Sequence, residues 1–468
     1  MRLILILSVL LSAITNPVYT QSLSTKIDEL IRNEFPYATI GVLIQDAESG
    51  QIIYRKNADK LLSPASNMKL FTAAATFYHF PPDYRFLTTL SQLNHDYYIR
   101  FSGSPTLTID DLKGLILTLK EKGVREIKGD FILDVSRFQS PYYPGGTSYD
   151  DLGWYYSAPD SAVILNGNAA SYQFISGKEL GDPVLIKADK EENGLTIINQ
   201  LRTVDKEEEK NHCGLNIEIK PNNTLRLFGC LAQQKDPKTL QLAIPNPSLL
   251  AKSIIKKSLA EQGITLHGTI RTGHLPAQAT QIIALQSADL KQVVSHMLLE
   301  SDNLYASSLM KQLAYSLTKE ATYKQGAFAI KQILTQNTHL DMKQLELADG
   351  IGTRYNLVSA LQIVTLLNDL YQDQKMRDLF LTTLPQSGVS GTLKDRMKKT
   401  ILEKRVYAKT GTMHDVSSLS GYIIKPEEKS FIFSIIINGI NQPIDKAKGL
   451  EEKILLAVVN ELYVDKLD

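Results

Sequence analysis

The sequence predicts an α/β (α+β) protein: an antiparallel sheet flanked by helices, with two further domains nested inside it. Three observations predict this architecture. Strand-like runs lie near both ends of the 468-residue chain instead of in one block. Three short polar motifs are spread far apart, 232 positions separating Lys69 from Ser301 and 108 separating Ser301 from Lys409. The first gap is too long for a loop, and the chain is too long for one ordinary hydrophobic core, so inserted domains are expected.

The elements follow in chain order. Met1-Arg2, the apolar run Leu3 to Ile14 and Val18-Tyr19-Thr20 read as a secretory signal over residues 1–20, cut near Thr20. Its apolar core is too short to span a bilayer, and export to a periplasm or to the cell-wall exterior is expected. No later run is long and apolar enough to cross a membrane, and the C-terminal Val464-Asp465-Lys466-Leu467-Asp468 offers no basic amphipathic anchor. Loss of residues 1–20 removes Arg2 and no acid, taking the formal charge from +1 to about zero, which argues against a nucleic-acid partner. Ser22 to Phe35 reads as a helix, and Ala38 to Gln45 with Gln51 to Arg55 as a hairpin around Glu48-Ser49-Gly50. After Pro64-Ala65, residues Met68, Phe71, Ala75 and Tyr78 recur at helical spacing until Pro81-Pro82. Ser66 therefore stands at a helix start.

An internal echo organises the long gap. Thr108 to Gly123 reads as a helix with Asp111 three residues after a Thr cap and a glycine stop, followed by strand-like Val124 to Val135. Asn246 to Gly263 and Ile264 to Gly273 repeat that order. The two copies are expected to form one domain, 84–160 with 239–278, interrupted by a polar, β-rich domain at 161–238. Leu215 to Lys220 and Thr224 to Gly229 read as hairpin strands around Pro221-Asn222-Asn223 within it. The two cysteines, Cys213 and Cys230, fall there too; in an exported protein they are expected to form a local disulfide, unlinked buried thiols being the alternative. Residues 21–83 and 279–468 remain for the catalytic domain. Helical pattern is dense from Leu290 to Leu334. Strand-like runs follow at Val406 to Thr412, Ser420 to Ile424 and Phe431 to Asn438, and a terminal helix at Lys446 to Tyr463.

The chemistry lies in S-x-x-K at Ser66 and Lys69, S-x-N at Ser301 and Asn303, and K-T-G at Lys409-Thr410-Gly411. Single matches are commonplace: Ser253 to Lys256 and Ser316 to Lys319 also fit S-x-x-K, and Arg271-Thr272-Gly273 imitates K-T-G. The set in this order describes a serine acyl-transfer site whose base is lysine. A serine hydroxyl is a poor nucleophile until a base takes its proton, and a lysine is a base only when partly neutral. Burial and a second cation both lower a lysine pKa, and Lys409 is the expected second cation. A helix start beside Ser66 favours an oxyanion there. The eight histidines form no H-E-x-x-H pattern, no Walker or dinucleotide glycine loop occurs, and neither metal nor cofactor is expected. Gly388-Val389-Ser390-Gly391 lacks the spacing of a nucleophile elbow, and the charge run Lys206 to Lys210 reads as a solvated loop.

Three further runs make the pattern specific: Ala348-Asp349-Gly350-Ile351-Gly352-Thr353-Arg354-Tyr355-Asn356, Leu384-Pro385 with Gly388 to Leu393, and Asp151 through Tyr156-Ser157-Ala158-Pro159. With the motifs, they resemble class C low-molecular-mass penicillin-binding proteins, the D-alanyl-D-alanine carboxypeptidase and endopeptidase family. The resemblance covers nearly the whole chain after residue 20, and implies a penicillin-binding-protein/serine β-lactamase-like transpeptidase domain with nested insertions. It further implies hydrolysis of peptidoglycan stem peptides at D-Ala-D-Ala, and acylation by β-lactam antibiotics. Ser66 would attack, Lys69, Ser301, Asn303 and Lys409 would assist, and the backbone N–H groups of Ser66 and Thr412 would hold the oxyanion. Lys409, Thr410 and Thr412 would bind the substrate carboxylate beside Gly411, while Asp151 with Tyr156, and Arg354 with Met413, would meet the far end of the stem peptide. Ile351 stands where the family more often has Ser, and His414 where a small polar residue is common. A serine β-lactamase would share the motifs, but no deacylating glutamate motif follows Lys69. A non-catalytic cell-wall binding module would have less need of Ser66 and both lysines.

Overall fold

The computed structural model describes residues 16–189, 194–425 and 429–463. Residues 1–15 of the expected signal, and the C-terminal 464–468, lie outside the described residues. The chain divides into two compact units. The first comprises the chain up to His79, Val294–Ser301 and the chain from Ile330 onward; the second comprises Phe80–Val293 and Asp302–Ala329.

The first unit is built on five antiparallel strands: β1 (Thr39–Asp46), β2 (Ile52–Lys56), β3 (Val406–Met413), β4 (Val416–Ile423) and β5 (Phe431–Asn438), in the order β3-β4-β5-β1-β2. Strands from opposite ends of the chain meet at its centre, with Thr39 opposite Asn438 and Asp46 opposite Phe431. In β5, Phe431 to Ile437 are all buried, as expected of a strand covered on both faces. Alternate residues serve different faces. Phe433, Ile435 and Ile437 join a core with Leu23, Ile27 and Ile31 of helix α1 (Asn16–Glu34) and Leu450, Ile454 and Val458 of the terminal helix (Ile444–Tyr463). On the other face, the buried Tyr422 hydroxyl donates to Leu367 O, 2.8 Å away in the helix Ala360–Gln372. The α1 helix starts at Asn16, earlier than the Ser22 expected from sequence.

The second unit holds a five-stranded sheet, ordered Ile270–Thr272, Phe131–Asp134, Asp96–Arg100, Leu87–Leu93 and Thr280–Gln286. The two helix-and-strand echoes meet in it and in a separate two-stranded sheet. Thr265–Leu266 pairs in parallel with Glu126–Ile127, and Ile270–Thr272 with Phe131–Leu133. Their helices, Ile109–Glu121 and Pro247–Glu261, contribute Leu112, Leu115, Ile116, Leu250 and Ile254 to one core. Thr108 caps the first with a full capping box, its side chain accepting from Asp111 N, and Asn246 caps the second by accepting from Leu249 N. Between the echoes lie two three-stranded sheets. One contains the hairpin Leu215–Lys220 and Thr224–Ala232, where Asn223 takes the left-handed conformation the turn requires, φ 60°. Cys213 and Cys230 are joined by a disulfide beside this hairpin, their Cα atoms 5.8 Å apart.

Among the described residues, no helix is long and apolar enough to cross a membrane, and no three His, Cys, Asp or Glu side chains gather to hold a metal.

Candidate active site

Ser66 lies in a 3-10 turn, Ala65–Met68, that runs directly into the helix Lys69–His79. The turn is strained, because Ala65 adopts φ 46°, a left-handed conformation that a residue with a Cβ rarely holds without external support. Several contacts supply that support. Asn67 is fully buried and donates from Nδ2 to Ser418 Oγ; Ser418 in turn donates to Pro64 O at 2.6 Å. Gly411 brings β3 against the same turn, since a Cβ there would overlap Ser418 Oγ and stand 2.7 Å from Pro64 O. Gly352, at φ +100°, presses from another side, where a Cβ would overlap the Ala65 carbonyl oxygen. Each glycine is needed for close approach.

Within this clamp, Lys69 Nζ lies 2.7 Å from Ser66 Oγ and donates to Ile351 O at 3.3 Å. Lys69 is wholly buried, while Ser66 remains partly exposed. Lys409, also wholly buried, donates to Ser301 Oγ at 2.9 Å and to Thr410 O at 2.8 Å. Ser301 has a left-handed backbone, φ 58°. Burial first, and the charge of Lys69 second, hold the Lys409 ammonium well below the usual lysine range.

Strand alternation separates the K-T-G residues. Lys409 pairs with Ser420 and Gly411 with Ser418, whereas Thr410 and Thr412 belong to the opposite parity. Since β3 is the edge strand, the two threonines border a cleft of about 470 Å³ together with Thr392, Arg396 and Lys448. Thr410 Oγ1 lies 2.8 Å from Thr392 Oγ1. Arg396 is held by Glu451 at 3.0 Å and Glu452 at 2.7 Å.

The D-G-I-G-T-R-Y-N run is a self-braced loop. Buried Asp349 accepts through Oδ1 from the amides of Ile351 (2.9 Å), Gly352 (2.8 Å) and Thr353 (3.3 Å). Through Oδ2 it accepts from Asn356 Nδ2 at 2.9 Å and from the Thr353 hydroxyl. Thr72, on the Lys69–His79 helix, donates to Gly350 O at 2.9 Å, fixing this loop to the turn that carries Ser66. The loop presents Arg354, whose Nη1 pairs with Asp415 Oδ1 at 3.3 Å in the turn just beyond Met413.

Asn303, two residues past Ser301, belongs to the second unit and opens the helix Asn303–Thr318, capped by Asp302. Its Nδ2 donates to Tyr156 O at 2.8 Å. The Tyr156 hydroxyl donates to Asp151 Oδ1 at 2.9 Å, and burial together with that carboxylate pushes the phenol pKa up. The first unit thus gathers Ser66, Lys69, Ser301 and Lys409, and the second gathers Asn303, Tyr156 and Asp151. Sequence reasoning gave no role to Asn67, Ser418, Thr392 or Asp415, and quoted Asp349 only as part of a run. Ordinary polar residues of this kind carry no local signal, although the invariable short reach of Asp to the next amides makes Asp349-Gly350 a recognisable turn brace.

A serine hydroxyl 2.7 Å from a buried lysine amine, on this sheet-and-helix scaffold, is an arrangement that suits a serine hydrolase. The chain belongs to the D-Ala-D-Ala carboxypeptidase 3 (S13) family, whose model matches residues 23–460. It is 29% identical over 414 residues to D-alanyl-D-alanine carboxypeptidase DacB of Haemophilus influenzae, covering 86% of each chain. It is likewise 29% identical over 430 residues to the D-alanyl-D-alanine carboxypeptidase of an Actinomadura species, covering 87% of this chain and 79% of that one. The crystal structure of penicillin binding protein 4 (DacB) from H. influenzae matches with a TM-score of 0.86 at 27% identity, over 93% of this chain and 99% of that chain. A second structure of that protein, complexed with a β-lactam, matches over the same shares at 26% identity and a TM-score of 0.80. The α+β, penicillin-binding-protein-like fold read from the sequence is the fold observed.

Proposed function

We propose that this protein hydrolyses the terminal D-alanyl-D-alanine bond of peptidoglycan stem peptides, and cross-links that end at a D-amino-acid centre, through an acyl-enzyme on Ser66. Penicillins acylate the same hydroxyl. The observation that carries this reading is the 2.7 Å approach of the wholly buried Lys69 amine to the hydroxyl of the partly exposed Ser66.

The steps follow from the groups present. Ser66 Oγ bonds to the carbonyl carbon while its proton passes to the Lys69 amine, which serves as the base in its unprotonated form. The carbonyl electrons move to oxygen, which the N–H groups of Ser66 and Thr412 receive; β3 is an edge strand whose outer side is taken up by Ser387 and Pro385 at Val406 and Ala408, toward the end away from Thr412. Collapse breaks the C–N bond, and the leaving D-alanine amine takes a proton through Ser301, whose hydroxyl is already hydrogen-bonded to Lys409. Water then attacks the ester by the reverse proton route and frees Ser66. The substrate carboxylate is assigned to Lys409, Thr410 and Thr412: the two threonine hydroxyls border the cleft, and Lys409 lies buried on the other parity of the same strand. Asn303 contacts the substrate amide. Asp151 with Tyr156, and Arg354 with Met413, receive the far end of the stem peptide.

The same reading makes residues 1–20 an export signal and the periplasm or wall the working compartment, where a disulfide such as Cys213–Cys230 persists. The domain bounds read from the sequence, 21–83 with 279–468 catalytic, 84–160 with 239–278 inserted and 161–238 nested, carry over into this reading, save that Thr280–Gln286 pairs in the second unit's sheet and Asp302–Ala329 belongs to that unit. Incubation with purified pentapeptide and with cross-linked dimer muropeptides, resolved by mass, tests the activity. The expected products are pentapeptide shortened by one D-alanine and dimers split to monomers, and Ser66→Ala should abolish both while melting like the parent. Full turnover by that variant would end the assignment.

A further inference from the structure

The helix that begins at Asn303 carries a second buried lysine that the reaction does not use. Lys311 is wholly buried, and its Nζ donates to Pro141 O at 2.9 Å, Gln139 O at 3.2 Å, Asp160 O at 3.4 Å and Asp160 Oδ1 at 2.9 Å. The rings of Tyr323 and Tyr142 lie 4.8 and 5.3 Å from it. Asp160 is equally buried, and its Oδ2 accepts from the Tyr323 hydroxyl at 2.5 Å. These partners lie at both ends of one loop. Gln139 and Pro141 enter it, Asp160 leaves it, and Asp160 N donates to Tyr142 O at 3.0 Å to close the neck.

That loop carries Asp151 and Tyr156. Its middle is held by Ala243 N donating to Gly153 O at 2.9 Å, and its far side by Asn303 Nδ2 on Tyr156 O. Lys311 lies eight residues after Asn303, about 12 Å along the same helix. One helix therefore grips the loop at its neck and at its working residue. An apolar side chain could pack here without the cost of desolvating two charges, and buried ion pairs are weak sources of stability. What an ammonium adds is direction: it draws three carbonyl oxygens and a carboxylate, from two chain segments, to a single point. Burial pushes the Asp160 carboxyl up to about 6 even with Lys311 beside it, which marks the neck as dry.

We propose that Lys311, with Asp160, is a positioning residue for recognition of the far, charged end of the stem peptide: it closes the neck of the 142–159 loop so that Asp151 and Tyr156 stand in register with Asn303. This rests on the reading above that Asp151 and Tyr156 receive that end.

Lys311→Met alone would strand a buried carboxylate, so the test uses Lys311→Met/Asp160→Asn, which removes both charges and leaves the Tyr323 hydroxyl an acceptor. Two substrates are compared: a stem pentapeptide with its free diamino-acid end, and a doubly acylated Lys-D-Ala-D-Ala tripeptide with no charged far end. The ratio of their kcat/KM values should fall about tenfold, through KM for the stem peptide, with penicillin acylation changed less than about threefold. An equal fall for both substrates and penicillin, or an unchanged ratio in a folded variant, overturns the proposal. If the double variant does not melt cooperatively, Tyr323→Phe decides: removal of that one hydroxyl should lower the ratio about threefold, and no change overturns the proposal. Asp151→Asn run in parallel separates the two readings. If it leaves the ratio intact, the assignment of Asp151 fails; if it lowers the ratio while the Lys311 variants do not, only the positioning role fails.

Discussion

Replacing Asp349 by alanine tests how the loop after it supports the turn that carries Ser66. The carboxylate is fully buried and accepts five hydrogen bonds, three from backbone amides and two from the side chains of Thr353 and Asn356. A net hydrogen bond contributes about 1 kcal/mol and one to a charged group more, but removal of the acceptor also leaves buried donors unsatisfied. The expected destabilisation is about 4 kcal/mol, at the upper end for single substitutions. Asp349→Asn keeps an oxygen for the three amides and turns an NH2 toward the Asn356 amide, so about 2 kcal/mol is expected. The chemistry should suffer as well. Ile351 O lies 3.3 Å from Lys69 Nζ, Gly350 O holds Thr72, and Gly352 presses on the Ala65 carbonyl. Loosening these contacts should slow penicillin acylation at least about tenfold at a temperature where the variant is folded. Urea unfolding followed by circular dichroism gives the first quantity, and the rate of fluorescent-penicillin labelling the second. A loss below about 1 kcal/mol with parental labelling would refute the bracing role of Asp349.

Other perturbations address separate parts of the account. Gly411→Ala should cut the acylation rate about a hundredfold, because the new Cβ meets Ser418 Oγ and the Pro64 carbonyl and displaces the Ser66 turn; parental acylation would show that β3 has room to spare. Lys409 has a depressed folded pKa, so at pH values between that pKa and about 10.5 the unfolded chain binds the extra proton, and the stability contributed there is lost as pH falls. Lys409→Met lacks this dependence, and urea melts at pH 7 and pH 9.5 should show the parent gaining on the variant at the higher pH; a constant difference would contradict the depressed value. The Cys213→Ala/Cys230→Ala variant should lose about 3 kcal/mol, since the bond closes a loop of 17 residues, yet acylate at the parental rate; a tenfold slower reaction would tie the nested region to catalysis.

How far the sequence revealed this arrangement varies with the physics of each part. The hairpin of β1 and β2, the runs Val406–Met413 and Phe431–Asn438 and the capped helix Ile109–Glu121 were legible, because β-branched runs and a Thr108/Asp111 box are local signals. The start of β4 was not, since Val416-Ser417-Ser418 is polar. Its serines are buried only because Glu451, Pro64 and Ser434 arrive from distant segments to satisfy Ser417, Ser418 and Ser420. Leu87–Leu93 and Asp96–Arg100 escaped notice for a similar reason, being short and mixed, and completed by the remote Thr280–Gln286. In the site, the lysines and serines stood out through their spacing. Asn67, Ser418 and Asp349 did not, for they act by holding backbone, and what they hold is visible only in three dimensions. The pairing of Lys311 with Asp160 likewise joins residues 151 positions apart, and no local pattern announces it.

Peptide mapping after penicillin labelling reads the nucleophile directly. The folded parent, incubated with benzylpenicillin and digested, should carry one penicilloyl group, on the peptide that contains Ser66, and Lys69→Ala should acquire it at least about a thousandfold more slowly. A folded parent that bears the adduct on another serine, or that bears none, would contradict the account.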